Sequence, residues 1–307
     1  MLTSFFGKSK PINFVIFGMV IFLGYVFGAL VQVKNPLDLS QLLISFFFIG
    51  WAVFAIFLLD FIVRKNDLTY KNTYTVLLFT CFLITLPVIF LDRNILLANV
   101  FLLMAFRRLA SLSSEKNTER KILDASLWIT VAAMFYFWSI LFFVPLFFSI
   151  LQKPETNHRL FIIPFIGFIA IFILSTSFHL MVDDSFLWIV EWIPAVSLDF
   201  SAYNNIKILL PAAIMATFLI WALPFRLIKI ASLSKKEKPN AVLLLLTLVV
   251  CMVIALFSPQ KTGAELFFII APLSVIVTNY IENVQEARFK EGLLWLVVLV
   301  PIVLLFI

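Results

Sequence analysis

Carboxylates are the side chains of this sequence that could carry chemistry. Asp38, Asp92 and the neighbouring Asp183 and Asp184 all stand between long apolar segments, and His179 precedes the pair by one helical turn. Such oxygen ligands bind divalent cations, and a carboxylate can also act as a general base. We therefore interpret these residues as a candidate acidic rim. No cofactor motif is evident, and a divalent cation is the one candidate.

These acids also have an ordinary structural interpretation. Asp92 or Asn94 can cap a helix that begins near Ile95. The residues after Asp184 can form a solvated loop, 182–205, whose tryptophans anchor it at the membrane–water boundary. Segment 186–193, apolar except for one glutamate, predicts a helix that lies along the outer membrane surface. Both interpretations stay open at this point.

The composition indicates which elements must position these groups. Of 307 residues, 63% are apolar and 13% are charged, with 37 phenylalanines. A soluble domain carries about 25% charged residues, so a soluble enzyme, a disordered chain and a disulfide scaffold are excluded. The eight glycines form no phosphate-binding loop. An all-α bundle of transmembrane helices is the remaining class, and the lipid bilayer is its first partner.

The apolar segments predict about nine full spans and one short helical hairpin in a single transmembrane domain. A helix needs roughly 20 apolar residues to cross the hydrocarbon core. The predicted spans are residues 12–31, 40–63, 73–91, 95–109, 160–181, 206–225, 241–257, 265–281 and 292–307, and the predicted hairpin is 124–151. The apolar run of the first span is too long for a signal peptide and no cleavage site follows it, so we expect it to be uncleaved.

The hairpin sets the orientation. If block 124–151 enters and returns, and the N-terminus is cytoplasmic, only Lys34, Arg93, Lys207 and Lys261 of the 23 basic residues lie outside. A single crossing would divide the basic residues almost evenly, against the positive-inside rule. Each arm of the predicted hairpin would have about 13 residues and would rise about 20 Å along its helix axis. The distribution of the basic residues, which gives the net charge of +6, is thus explained by orientation in the membrane. We expect no nucleic-acid partner.

Two resemblances add to these predictions. The opening segment from Ser4 to Phe14, SFFGKSKPINF, and the span pattern resemble a family of uncharacterised inner-membrane proteins from Bacteroidota. This resemblance implies a multi-pass protein of the bacterial inner membrane. It implies no activity.

The second resemblance concerns topology. Residues 61–176 have a basic inner loop, a short span ending at Pro87, an outer turn with Asp92 and Arg93, a return span ending at Arg107 and Arg108, and a short hairpin. This order resembles GT-C glycosyltransferases, which use polyprenyl-phosphate sugars at the outer face. The long first outer loop of those enzymes is reduced here to residues 32–39.

The second resemblance implies roles for the candidate residues. Asp38 would be the catalytic base, and Asp92 or Asp183 would position a metal ion or the acceptor. Arg93 or Lys34 would hold the phosphate. The alternative is a non-catalytic subunit of an envelope-assembly complex. It would bind partner membrane proteins through the short hairpin and through Gly24 and Gly28, whose GxxxG spacing lets helices approach closely. A transporter is less favoured, because the predicted spans carry no ionisable group at their centres.

The orientation predicts the result of reporter fusions. A fluorescent protein fused after Gln152 should be fluorescent, because that position is predicted to be cytoplasmic, and alkaline phosphatase fused after Ser201 should be active outside. Phosphatase activity after Gln152 would contradict the hairpin.

Overall fold

A computed structural model describes residues 1–32, 39–114, 116–153 and 158–304. Helices make up most of this part, and it contains no strand. The chain is therefore all-α. The helices are α1 (Leu2–Phe6), α2 (Pro11–Gln32), α3 (Leu39–Lys65), α4 (Tyr74–Ile84), α5 (Arg93–Ser111), α6 (Thr118–Phe135), α7 (Phe143–Leu151), α8 (His158–Asp183), α9 (Trp188–Glu191), α10 (Ile206–Ser232), α11 (Lys238–Leu256), α12 (Phe267–Asn283) and α13 (Ala287–Leu304).

Several helices are compatible with a membrane protein. Within the described residues, 6 helical segments are long and apolar enough to cross a bilayer: Leu43–Lys65, Arg93–Ser111, His158–Asp183, Ile206–Ser232, Lys238–Leu256 and Ala264–Asn283. Shorter apolar helices cover Pro11–Val26, Tyr74–Ile84 and Phe137–Leu151. The total of nine full spans and the cytoplasmic N-terminus stay predictions.

The chain divides into two compact units. Unit 1 comprises Met1–Leu96, Asp199–Leu233 and Lys261–Ile307, and unit 2 comprises Leu97–Leu198 and Ser234–Gln260. In unit 1, helix α4 contacts α2, α3, α12 and α13, and all of its 11 residues are buried. Helix α4 is thus the centre of unit 1.

Helix α4 is shorter than span 73–91 predicts. Its 11 residues rise about 16 Å, roughly half of the hydrocarbon thickness. The ring of Pro87 disfavours helical backbone at Leu86, which has φ −123° and ψ 75°. The chain then forms a 3₁₀ turn, Pro87–Phe90, before α5 begins. The apolar run continues past Ile84 although the α-helix does not.

The amino-terminal end of α4 is tied to α1 and α2 by a buried polar network. The Thr73 backbone N–H and hydroxyl both donate to the Phe6 carbonyl, at 3.0 Å each. The side-chain amide of Asn13 donates to the Thr73 hydroxyl at 3.0 Å. Both Asn13 and Thr73 are fully buried. This network supplies partners to polar groups that have no access to water.

In unit 2 the chain breaks after helix α6 and packs back on it. Tyr136 is extended, residues Phe137–Phe142 form a 3₁₀ helix, and both this segment and α7 contact α6. The first arm differs from the sequence prediction, since α6 has 18 residues and begins at Thr118. Helix α6 therefore includes polar residues that precede the apolar block. Glu119 stabilises this first turn, because the helix dipole favours an acid there.

Residues of loop 182–205 cover the bend after α6. The indole N–H of Trp192 donates to the Ala133 carbonyl at 2.7 Å, and its ring lies 5.1 Å from that of Phe137. The predicted surface helix over 186–193 is reduced to the four residues Trp188–Glu191. Trp192 packs within unit 2 because the final turn of α6 leaves a carbonyl in need of a donor.

The closest packing in unit 2 involves a glycine on α8. A Cβ atom built on Gly167 would lie 1.9 Å from Ser126 Oγ and 2.9 Å from Ser126 Cβ on α6. Helices α6 and α8 can therefore approach this closely only because Gly167 has no side chain.

Gly167→Ala should destabilise the protein by about 1–3 kcal/mol, because the fully buried Ser126 cannot move away without disturbing α6. Gly50→Ala is the matched control, since a Cβ there meets nothing within 4 Å. Alanine at Gly50 should be neutral or stabilise by about 0.5–1 kcal/mol. Thermal unfolding in detergent measures both; equal effects would contradict the close contact.

Candidate functional site

The structure divides the predicted site residues between the two units. Lys34 and Asp38 lie outside the described residues. Asp92 and Arg93 belong to unit 1, and the three rim residues at the C-terminal end of helix α8 belong to unit 2: His179, Asp183 and Asp184. Each group is therefore described within its own unit.

Asp92 caps helix α5. Its carboxylate oxygen Oδ1 accepts a hydrogen bond from the Ile95 backbone N–H at 3.0 Å, as one of its two sequence interpretations predicts. Asp92 is half-buried and Arg93 is exposed. The Arg93 guanidinium lies 5.6 Å from the ring centre of Phe48. The other carboxylate oxygen of Asp92 takes no part in this capping hydrogen bond, and the Arg93 side chain is exposed.

His179, Asp183 and Trp188 form one group in unit 2. His179 Nδ1 lies 2.9 Å from Asp183 Oδ2, and the imidazole stacks on the Trp188 ring at 4.9 Å. Asp184 has a left-handed backbone, φ 48°, directly after the last residue of α8. Nowhere in the described ranges do three His, Cys, Asp or Glu side chains gather as a metal site would require.

Gly24 lets helix α2 approach helix α4 within the chain itself. A Cβ atom on Gly24 would lie 3.0 Å from Ile84 Cγ1. The GxxxG spacing was interpreted as a surface for a partner helix, but its first glycine packs on a helix of the same unit. The surroundings of Gly28 lie outside the described part of the structure, so a partner helix at Gly28 stays a prediction.

A buried polar group in unit 1 is centred on Glu265, whose spacing from Thr262 predicts a capping box. Glu265, which has no exposed surface, accepts hydrogen bonds from the backbone N–H groups of Thr262 and Gly263, at 3.2 and 2.9 Å, and from the Tyr203 hydroxyl at 2.9 Å. We call Tyr203, Lys261, Thr262 and Glu265 the outer polar cluster, after its predicted side. Its carboxylate joins two loops that are distant in sequence.

Lys261 supplies the positive charge of the outer polar cluster. Its side chain is buried, and its ammonium lies 5.2 Å from the ring centre of Phe200. Burial lowers the pKa of Lys261 below its ordinary value, because removal from water disfavours the charged form, while the Glu265 carboxylate acts in the opposite direction. The ammonium therefore lies near the Phe200 ring and within the electrostatic influence of the Glu265 carboxylate.

The outer polar cluster and the Asp92 turn adjoin each other in unit 1. The 3₁₀ turn Pro87–Phe90, which precedes Asp92, contacts the 3₁₀ turn Ala264–Leu266, which contains Glu265. One end of unit 1 thus presents a carboxylate and guanidinium beside a buried carboxylate and ammonium. The spacing of Thr262 and Glu265 gave one signal, that of a capping box. Nothing in the sequence indicates that Tyr203, 62 residues earlier, reaches Glu265.

Glu265→Gln should lower the pKa of Lys261 further, because it removes a negative charge that favours the ammonium while keeping an acceptor for the backbone. The pH dependence of acylation at Lys261, measured by mass spectrometry, should then shift to lower pH. Tyr203→Phe is the control, since it removes a hydrogen bond without changing the charge. An equal shift in both variants would contradict this electrostatic coupling.

Comparison with known proteins identifies one family. A family model described as a family of unknown function, DUF6427, matches residues 7–307. No curated protein and no solved structure matches the chain. Since the family model covers nearly all of the sequence, including both compact units, the chain belongs to the DUF6427 family.

Proposed function

We propose that the chain is a multi-pass protein of the bacterial inner membrane that works in envelope assembly. In this proposal it transfers a sugar from a polyprenyl-phosphate carrier at the outer face, on a GT-C-like scaffold. Long apolar helices and the concentration of basic residues on one predicted side support the membrane location. The order of loops in residues 61–176 and the likeness of the opening segment to Bacteroidota proteins support the rest.

One observation carries the catalytic part of the proposal. Asp92 and Arg93 stand together at the turn that adjoins the outer polar cluster. Arg93 has the exposure and the charge to hold a phosphate, and Asp92 has an oxygen available to orient an acceptor hydroxyl. In this proposal the base is Asp38 and the alternative phosphate ligand is Lys34, both outside the described residues.

A second candidate function is a non-catalytic subunit of an envelope-assembly complex. The hydrogen bonds of the acids favour it. Asp92 caps α5, Glu265 binds its own loop, Asp183 pairs with His179, and Asp199 accepts the Ser201 backbone N–H at 2.9 Å. Carboxylates used in this way stabilise local structure. Membrane-protein partners then take the place of a polyprenyl-phosphate substrate.

Substitutions at Asp92 separate the two candidates. Serine and asparagine cap helices about as well as aspartate, whereas alanine costs about 0.5–2 kcal/mol. If the carboxylate positions the acceptor, Asp92→Ser and Asp92→Asn should fold normally yet lower the rate of sugar transfer about 100-fold. Consumption of a radiolabelled polyprenyl-phosphate sugar by membranes, at matched protein abundance, measures this loss.

The opposite pattern supports the subunit. If Asp92→Ser and Asp92→Asn complement a deletion strain fully and only Asp92→Ala fails, the residue acts as a cap and catalysis through Asp92 is wrong. Asn94→Ala is the matched control, since it changes the same exposed turn without touching the Asp92 hydrogen bond.

A further inference from the structure

Helix α10 carries a continuous stripe that changes from apolar to basic along its length. Residues of α10 at helical spacing, from Ile214 through Phe218 and Trp221, line a cavity of about 250 Å³ in unit 1. The next turns of the same helix, from Phe225 to Lys229 and Ser232, line a second, more open cavity. We call the two together the α10 groove.

The apolar part of the α10 groove is closed on two sides by other helices of unit 1. Val277, Tyr280 and Ile281 of α12 and Leu293 and Leu296 of α13 complete the lining. The Trp221 indole N–H donates to the Tyr280 hydroxyl at 2.7 Å, while 57% of Trp221 remains exposed. The volume of this apolar cavity, about 250 Å³, lies below the 300–1,000 Å³ that is usual for small-molecule pockets. An open apolar groove of this size suits a hydrocarbon chain.

The basic end of the groove is built from side chains held by α12. Lys229 donates to the Asn283 side-chain oxygen, and the buried Arg226 donates to the Asn279 side-chain oxygen at 3.1 Å. An ammonium carries three donors, of which Asn283 accepts one. The nearby acid on α12, Glu282, accepts bonds from the Tyr70 backbone N–H and the Asn72 amide and attracts both Lys229 and Lys290 electrostatically, without a direct ion pair to Lys229 among the described contacts. Lys229 therefore presents a positive charge, with Asn283 and Ser232 beside it.

We propose that the α10 groove binds one anionic phospholipid of the cytoplasmic leaflet. An acyl chain lies along Phe218 and Trp221, and the phosphate lies against Lys229. The charge complementarity selects this occupant, because basic clefts between membrane helices bind anionic head groups on the cytoplasmic side. The C-terminal end of α10 is the end that the sequence predicts to be cytoplasmic. The site is independent of the outer-face chemistry proposed above.

Quenching of Trp221 fluorescence tests this site. The full-length protein is reconstituted in nanodiscs containing phosphatidylglycerol or phosphatidylcholine with brominated acyl chains, and the signal of Trp221 is the difference from Trp221→Phe. One basic residue near the surface predicts about a fivefold preference for the anionic lipid. Lys229→Gln should abolish the preference, and Lys236→Gln, in the exposed loop after α10, should retain it. Thr217→Phe fills the groove and should reduce quenching by both lipids.

Three results would overturn the proposal. Equal quenching by the two lipids in the unmodified protein would reduce the groove to ordinary lipid contact. Displacement of the brominated lipid by a polyprenyl phosphate, but not by unlabelled phosphatidylglycerol, would assign another lipid. No quenching by either lipid, with disulfide cross-linking of Leu296→Cys between two copies, would show that a second chain fills the groove.

Discussion

Unit 1 depends on satisfying the polar backbone of a helix that cannot reach water. Helix α4 is buried along its whole length and is too short to cross a bilayer. An unpaired N–H or C=O group in such surroundings costs several kcal/mol. At its beginning, Tyr74 N–H donates to the Asn72 side chain, and Thr73 is bound to Phe6 and Asn13. At its end, the Thr85 hydroxyl returns to the Phe82 carbonyl at 2.6 Å.

The outer polar cluster shows that buried charged groups also need hydrogen-bond partners. A buried carboxylate is tolerated only where donors surround it, and Glu265 has two backbone N–H groups and a phenol. Gly263 makes this geometry possible, since its φ of 89° is open to glycine at little cost. The result is a hydrogen-bonded end of unit 1, next to the turn that leads into the more exposed Asp92 and Arg93.

The sequence predicts the all-α class because long apolar segments have few other folds. It predicts the cap at Asp92 from local spacing alone. It misses the early end of α4, because the apolar pattern continues through Pro87 while the backbone does not. It predicts the capping box of Thr262 and Glu265 but misses the contact of Glu265 with Tyr203, because that contact joins residues 62 positions apart. Local sequence patterns predict helix caps and apolar spans. Contacts between distant loops depend on tertiary packing, which cannot be read from a single sequence.

The hydrogen bond from Trp192 to Ala133 bears on the order in which the chain folds during its synthesis. The acceptor and donor are 59 residues apart, and helix α8 is made between them. During synthesis, the last turn of α6 therefore leaves the ribosome long before its indole partner exists. Another donor, such as water, must bind that carbonyl in the interval. The bend after α6 therefore gains this hydrogen bond only after α7, α8 and the segment that contains Trp192 have been synthesised.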